Sequence, residues 1–167
     1  KKTNEIMAYS YANIYNLPCT ALRFFTVYGP YGRPDMALFK FTKAILNSKK
    51  IDLYNKGKHM RDFTYIDDVV KYISKLITKP SKKNVPYNCF NIGSDKPQKL
   101  KYFVKQIEKK LEKKSKYNLL SLQKGDVYKT HANVNSIRNF LKIKPYTKIN
   151  LGIQKFISWY KKYYIIK

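Results

Sequence analysis

Apolar residues recur at helical spacing through most of the chain. Ile6, Met7, Ala8, Tyr11, Ile14 and Tyr15 predict a helix over 4–16 with one broad apolar face, which Pro18 ends. Further helices are predicted over 36–47, 69–78, 99–113, 135–141 and 150–164. Leu100, Phe103, Val104, Ile107 and Leu111 turn inward on the fourth, and Ile153, Phe156, Ile157 and Tyr160 on the last. The helix over 69–78 carries Val69, Val70, Ile73, Leu76 and Ile77, and Asp67 or Asp68 is its natural N-cap. Between these lie short apolar runs of strand type: Thr20 to Phe25, read as buried, then Ile51 to Tyr54, Tyr87 to Ile92, and a small strand near 118–122. Tyr28 to Pro34 and Asn55 to Lys58 read as turns. Strands and helices alternate without repeats or a Gly/Ser linker, so the class is α/β.

Length and composition narrow the picture. The 167 residues suffice for one globular domain with a real core, and 44% hydrophobic content excludes a disordered chain. No apolar run approaches the roughly 20 residues that span a bilayer, so no membrane is expected. The amino terminus has no signal-type stretch and no initiating Met, which predicts a chain that begins inside a longer protein. Cys19 and Cys89 sit in strand-like runs without CxxC spacing, which argues against a metal site or disulfide framework and for a reducing cytoplasm. The formal net charge is +25, yet only 4 of the 35 basic residues are Arg, namely Arg23, Arg33, Arg61 and Arg138. Base readout leans on Arg forks, and these cations are spread along the whole chain, so no nucleic-acid partner is expected. The lysine run from Lys109 to Lys116 reads as a solvated helix end.

Three loop segments carry candidate chemistry. In the first, a strand delivers Thr26 to its carboxyl end, and Arg33 follows in a Gly/Pro-rich bend. A guanidinium held there suits a carboxylate or phosphate in bidentate geometry, or else pairs locally with Asp35. In the second, Tyr54 to Asp68, Arg61 either pairs with its neighbour Asp62 or presents a cation to a diphosphate while Asp62 orients it. His59 has no partner at catalytic spacing and receives no role. The third is Gln123 to Val127, a turn whose Asp126 can accept hydrogen bonds from sugar hydroxyls. His131 is read as structural.

Together these segments resemble the extended short-chain dehydrogenases/reductases, and within them the UDP-glucuronate 4-epimerases, essentially end to end. Lys1-Lys2-Thr3-Asn4-Glu5 is similar to the tail of that family's Tyr-x-x-x-Lys-Lys-x-Asn-Glu stretch. Arg23 to Ala37, Tyr54 to Asp68, Gly125-Asp126-Val127 and Phe156-x-x-Trp159-Tyr160-x-x-Tyr163-Tyr164 follow its pattern. The glucose epimerases and dehydratases of the superfamily commonly have Asn where Thr26 stands. The resemblance implies the C-terminal part of a Rossmann-type unit, its last elements interleaved over residues 1–167 with a small mixed α/β substrate-binding domain, the N-terminal NAD-binding part being absent. It implies NAD as cofactor and a UDP-sugar as substrate, with homodimerisation through helices near Lys1 and a role in polysaccharide biosynthesis. Lys1 takes the place of the motif Lys and contacts the nicotinamide ribose, its partner Tyr standing four positions upstream. Phe25 and Val27 become cofactor contacts. Thr26 and Arg33 become ligands of the sugar carboxylate, Thr26 also lying at the reacting carbon. Arg61 becomes the diphosphate ligand, with Tyr54 and Asn55 near the uridine and Asp126 near the ribose. Lys124 and Asn133 depart from the family, which often has Pro and Asp there. The fragment alone is expected to be inactive.

Overall fold

The computed structural model describes residues 1–165. Six helices alternate with eight strands: α1 (Lys2–Tyr15), β1 (Cys19–Phe24), β2 (Thr26–Tyr28), α2 (Ala37–Leu46), β3 (Lys50–Leu53), β4 (Met60–Arg61), β5 (Phe63–Tyr65), α3 (Ile66–Ile77), β6 (Tyr87–Ile92), β7 (Gln98–Lys99), α4 (Leu100–Leu111), β8 (Lys116–Leu119), α5 (Asn135–Leu141) and α6 (Ile149–Tyr163). β1 pairs with β6, β2 with β5 and β3 with β8, all parallel, whereas β4 and β7 form a short antiparallel ribbon. Parallel pairs need covering crossovers, and helices supply them, as the α/β pattern predicts.

One continuous run, 19–28, serves two sheets. Its first half lies beside β6, and Phe25 N–H still donates to the Ile92 carbonyl at 3.1 Å. One residue later Thr26 N–H donates to the Asp62 carbonyl at 3.2 Å, and the strand continues beside β5. Neighbouring strands part at this point, which is where open α/β sheets leave a crevice at their carboxyl ends.

Two apolar cores flank that change of partner. The larger joins α2, α4 and α6 over β2, β3 and β5, with Phe63 stacked on Phe103 at 4.0 Å between ring centroids. The smaller joins α3, α5 and β6 around Tyr72, Ile92 and Ile137. Asp62 bridges between them. It is fully buried, and its carboxylate accepts from Ser94 N–H and Oγ at 2.7 Å each, Ala132 N–H at 3.0 Å and Asp95 N–H at 3.1 Å.

Several sequence expectations need correction. Neither Asp67 nor Asp68 caps α3, because both lie in its first turn after Tyr65. Asp68 instead holds the loop before α6, accepting from Thr147 N–H at 2.6 Å and Oγ1 at 3.1 Å. The broad apolar face of α1 is not buried in this chain, where Ala12 is its one buried residue and Ile6, Met7, Ile14 and Tyr15 are exposed. β1 is half-covered rather than buried, with Phe24 exposed. Cys19 and Cys89 are likewise half-buried. Val70 and Ile77 face outward on α3, and Tyr72, which the pattern overlooked, fills their expected place. β4, β5 and β7 escape the periodicity because two or three residues carry too little pattern.

Candidate functional site

The crevice at the change of partner within the 19–28 run opens into a cleft of about 440 Å³. Thr26, Asp52 and Tyr54 line it together with His59, Arg61 and Asp126. A second, smaller cavity of about 30 Å³ adjoins it and reaches Arg33 and the Gly29–Gly32 bend. Thr26, Met36, Ala37 and Phe63 line both spaces. Thr26 therefore lies between the two candidate cations of the sequence.

Backbone pairing, rather than side-chain chemistry, brings Arg61 and Asp126 together. Met60 N–H donates to the Tyr128 carbonyl at 3.0 Å, and Thr130 N–H returns to the Met60 carbonyl at 3.1 Å. This lays 128–130 along β4 and carries Asp126 to Arg61 across 65 positions of sequence. The Arg61 guanidinium donates to Asp126 Oδ1 at 2.7 Å, to the Met60 carbonyl at 3.0 Å and to the Tyr128 carbonyl at 3.2 Å. It is mostly buried and held from three sides. Asp62 does not pair with Arg61, contrary to both readings of the sequence, because the buried joint described above occupies its carboxylate. Asp126 supplies the orienting group instead.

His59 is the residue that sequence reasoning missed. It is 3% exposed, and its Nε2 lies 3.4 Å from Asp126 Oδ2. That approach is too poorly aligned for a hydrogen bond, and Nε2 has no other hydrogen-bond partner among the described residues. Burial, reinforced by the Arg61 charge and opposed by Asp126, holds its pKa below the ordinary 6.5. The imidazole is therefore neutral at pH 7. Its sequence setting, Gly57-Lys58-His59-Met60, reads as a polar turn, and only the docking of the 126–130 segment reveals a partner.

Arg33 makes the local pair: its guanidinium is bidentate to Asp35, with Nε donating to Oδ1 at 3.0 Å and the second nitrogen to Oδ2. The side chain is 74% exposed, so the pair is solvent-screened. It holds the Asp35 pKa below the usual carboxylate range. Tyr31, in left-handed backbone at φ 59° within the bend, packs on Trp159 at 5.1 Å and steadies the loop that presents Arg33. Tyr54 lines the cleft. Asn55, at φ 48°, donates its N–H to the Ser121 carbonyl at 3.3 Å and is not among the lining residues.

Lys1 lies elsewhere, on an open groove of about 540 Å³ between α1 and β1, shared with Asn4, Glu5 and Ala21–Phe24. Glu5 there accepts both nitrogens of Arg23 at 2.7 and 2.6 Å, which lowers its pKa to about 2. Phe25 packs against the smaller core, and Val27 lines the small cavity. The structure thus gathers Thr26, Arg33, Tyr54, Arg61 and Asp126 around adjoining spaces, whereas Lys1 lines a different groove. His131 pairs with Asp95 at 2.9 Å beside Arg138, away from the cleft. Among the described residues no group of His, Cys, Asp or Glu could hold a metal, and no helix is long and apolar enough to cross a membrane.

Comparison with known proteins adds a second line. The profile described as the NAD dependent epimerase/dehydratase family matches residues 1–93. Protein CapI of Staphylococcus aureus is 51% identical over 98% of this chain and 53% of its own length. UDP-glucuronate 4-epimerase 1 of Arabidopsis thaliana is 43% identical over 98% of this chain and 41% of its own. A crystal structure of UDP-glucuronic acid 4-epimerase from Bacillus cereus, in complex with UDP-glucuronic acid and NAD, superposes with a TM-score of 0.90 at 29% identity. It covers 98% of this chain and 52% of that one. The chain spans about half the length of the relatives it matches. The Rossmann-type α/β class expected from the sequence agrees with these neighbours.

Proposed function

The chain belongs to the NAD dependent epimerase/dehydratase family, and we propose that it forms the substrate-gripping part of a nucleotide-sugar 4-epimerase that interconverts UDP-glucuronate and UDP-galacturonate. The supporting observation is the position of Thr26, which lines at once the cavity leading to Arg33 and the cleft leading to Arg61. A ligand laid across Thr26 meets one cation at each end, which matches an acidic sugar joined to a diphosphate.

Each residue then has a task. Arg61, already pinned by two carbonyls, offers its guanidinium to the diphosphate. Asp126 accepts from the ribose, and Tyr54 with the neighbouring Asn55 borders the uridine. Arg33 leaves Asp35 for the sugar carboxylate. That exchange is necessary because the cavity beside it, about 30 Å³, has room for about one water. It is inexpensive because an exposed pair contributes little. Thr26 adds a hydroxyl at the same carboxylate and sits beside the reacting carbon.

The groove at Lys1 fits the nicotinamide end of NAD: an exposed ammonium stands at its mouth, and Asn4 and Glu5 complete its polar wall. Bound NAD supplies a reversible hydride acceptor for C4 of the sugar. Lys1 holds the ribose of that cofactor and lowers the pKa of the phenol that the family pattern puts four positions before it, so that the phenol takes the C4 hydroxyl proton. Phe25 and Val27 wall the site. Oxidation at C4 leaves a ketone beta to the carboxylate, a geometry prone to losing carbon dioxide. Gripping the carboxylate through Thr26 and Arg33 keeps it out of line for that loss and favours return of hydride to the other face. We place the protein in the cytoplasm, in a pathway that supplies acidic sugars to a polysaccharide.

Two measurements test this reading. Calorimetry should give Arg61→Ala an equal loss, about tenfold or more, for UDP-glucuronate and UDP-glucose, since both share the diphosphate. Undiminished binding would remove Arg61 from the site. With the chain joined to a complete cofactor half, the product of UDP-glucuronate should keep its mass. Loss of carbon dioxide would replace the epimerase reading with a decarboxylase.

A further inference from the structure

The cleft contains one group that the proposed reaction does not use, the His59 imidazole. Its backbone is fixed, because the His59 carbonyl accepts from Leu100 N–H at 2.8 Å where α4 begins. The ring is buried, and Nε2 has no hydrogen-bond partner among the described residues. It faces Asp126 Oδ2 at 3.4 Å, while Asp126 Oδ1 takes the Arg61 guanidinium at 2.7 Å. One carboxylate is thus shared between a permanent cation and a titratable ring.

We propose that His59 is a proton-accepting member of the nucleotide site: when a diphosphate draws Arg61 away, the ring takes up a proton and replaces Arg61 as the cation facing Asp126. This deepens the reading of Arg61 as the diphosphate ligand and rests on it. The chemistry is a single protonation, with Nε2 binding a proton from solvent while no other bond forms or breaks. Two changes drive it. The ligand's negative charge cancels the Arg61 field that disfavours imidazolium, and Asp126 exchanges its cationic partner for neutral ribose hydroxyls.

The cleft that His59 lines also carries Lys40 from α2, Lys50 and Asp52 from β3, Tyr54 from the turn after β3, Arg61 from β4 and Asp126 from the 123–127 turn, and of these Arg61 and Asp126 act on the ring. α4 presents the uncharged Leu100. Asp126 is the acid nearest to Nε2.

The linkage has a definite sign. In the free protein the ring is neutral at pH 7, its pKa lying below 6.5. If binding raises that pKa, affinity increases as pH falls through the bound-state value and levels off below the free-state value. A rise of one unit tightens binding about tenfold.

UDP-glucose is the suitable probe, since it carries no group that titrates near neutral pH. Calorimetry from about pH 8 down to about pH 5.5 should show roughly tenfold tightening. Buffers of different ionisation enthalpy should reveal proton uptake on binding. In His59→Gln the tightening and the uptake should both vanish, whatever its affinity at the upper pH. These 167 residues contain two histidines, so proton NMR on this chain can follow both rings without a variant. UDP-glucose should raise the midpoint of His59 and leave that of His131 in place. Binding without proton uptake, or the same linkage in His59→Gln, overturns the proposal alone. Failure of UDP-glucose to bind at any pH overturns the nucleotide reading of the cleft as well.

Discussion

At the scale of single residues, the candidate site is set by which charge each arginine meets. The sequence left two partners open for Arg33, and the resting structure shows the local one, Asp35. In the proposed reading Asp35 competes with the substrate carboxylate. Asp35→Ala should tighten UDP-glucuronate about two- to fivefold and leave UDP-glucose unchanged, by calorimetry. Weaker binding of UDP-glucuronate would show that Asp35 supports the loop instead of competing. Thr26, Arg33 and Arg61 stood out in the sequence because isolated polar groups in Gly/Pro-rich loops attract notice. The partnership of Arg61 with Asp126 was not legible, since it depends on 128–130 pairing alongside Met60. Sequence adjacency suggested Asp62, whose carboxylate is turned the other way into four hydrogen bonds of 3.1 Å or less.

At the scale of elements, the helices were legible and the connections between them were not. α5 and β6 fall at the expected boundaries, α6 buries its expected residues, and α4 buries Phe103, Val104, Ile107 and Leu111 with Leu100 half-buried. Long apolar periodicity survives folding because it is what the core selects. Two joints decide how these elements meet. Asp62→Ala should cost about 3–5 kcal/mol in denaturant unfolding, since it orphans buried donors from two loops. Gly152 lets α6 cross β2, where an added Cβ would stand within 2.8 Å of Tyr28 ring carbons. Ala is the better helix former by about 1 kcal/mol, but overpacking costs about 1–3 kcal/mol. Gly152→Ala should therefore lower the melting temperature. The end of α4 is closed by Glu108, which accepts from Ser115 N–H at 2.8 Å, from Ser115 Oγ and from Tyr117 Oη at 2.7 Å. These donors outweigh burial and hold its pKa below the ordinary 4.5. A carboxylate with a depressed folded pKa stabilises fully above its unfolded value and loses that contribution as pH falls through the folded one. Acid unfolding should accordingly be less steep below about pH 4.5 in Glu108→Gln.

At the scale of the whole molecule, a charge of +25 and an exposed apolar helix face are the features most open to misreading. The cations are dispersed, and the charged cleft is small and shared with Asp52 and Asp126. Random-sequence DNA should therefore show no tight binding at physiological salt in fluorescence anisotropy, and nanomolar binding would reopen that question. Ile6, Met7, Tyr11, Ile14 and Tyr15 leave an apolar stripe on α1 that suits the homodimer implied by the family resemblance. Light scattering on the chain joined to its cofactor half should give twice the monomer mass. The α/β class was legible from alternation alone. The change of strand partner at Phe25 and Thr26, which creates the cleft, was not, because both halves of that run have the same strand-like pattern. In the proposed site Thr26 and Arg33 grip the carboxylate of an acidic sugar nucleotide, which one variant measured with two ligands can test. Arg33→Ala should weaken UDP-glucuronate on the order of thirtyfold while barely changing UDP-glucose. Equal losses for the two sugars would contradict it.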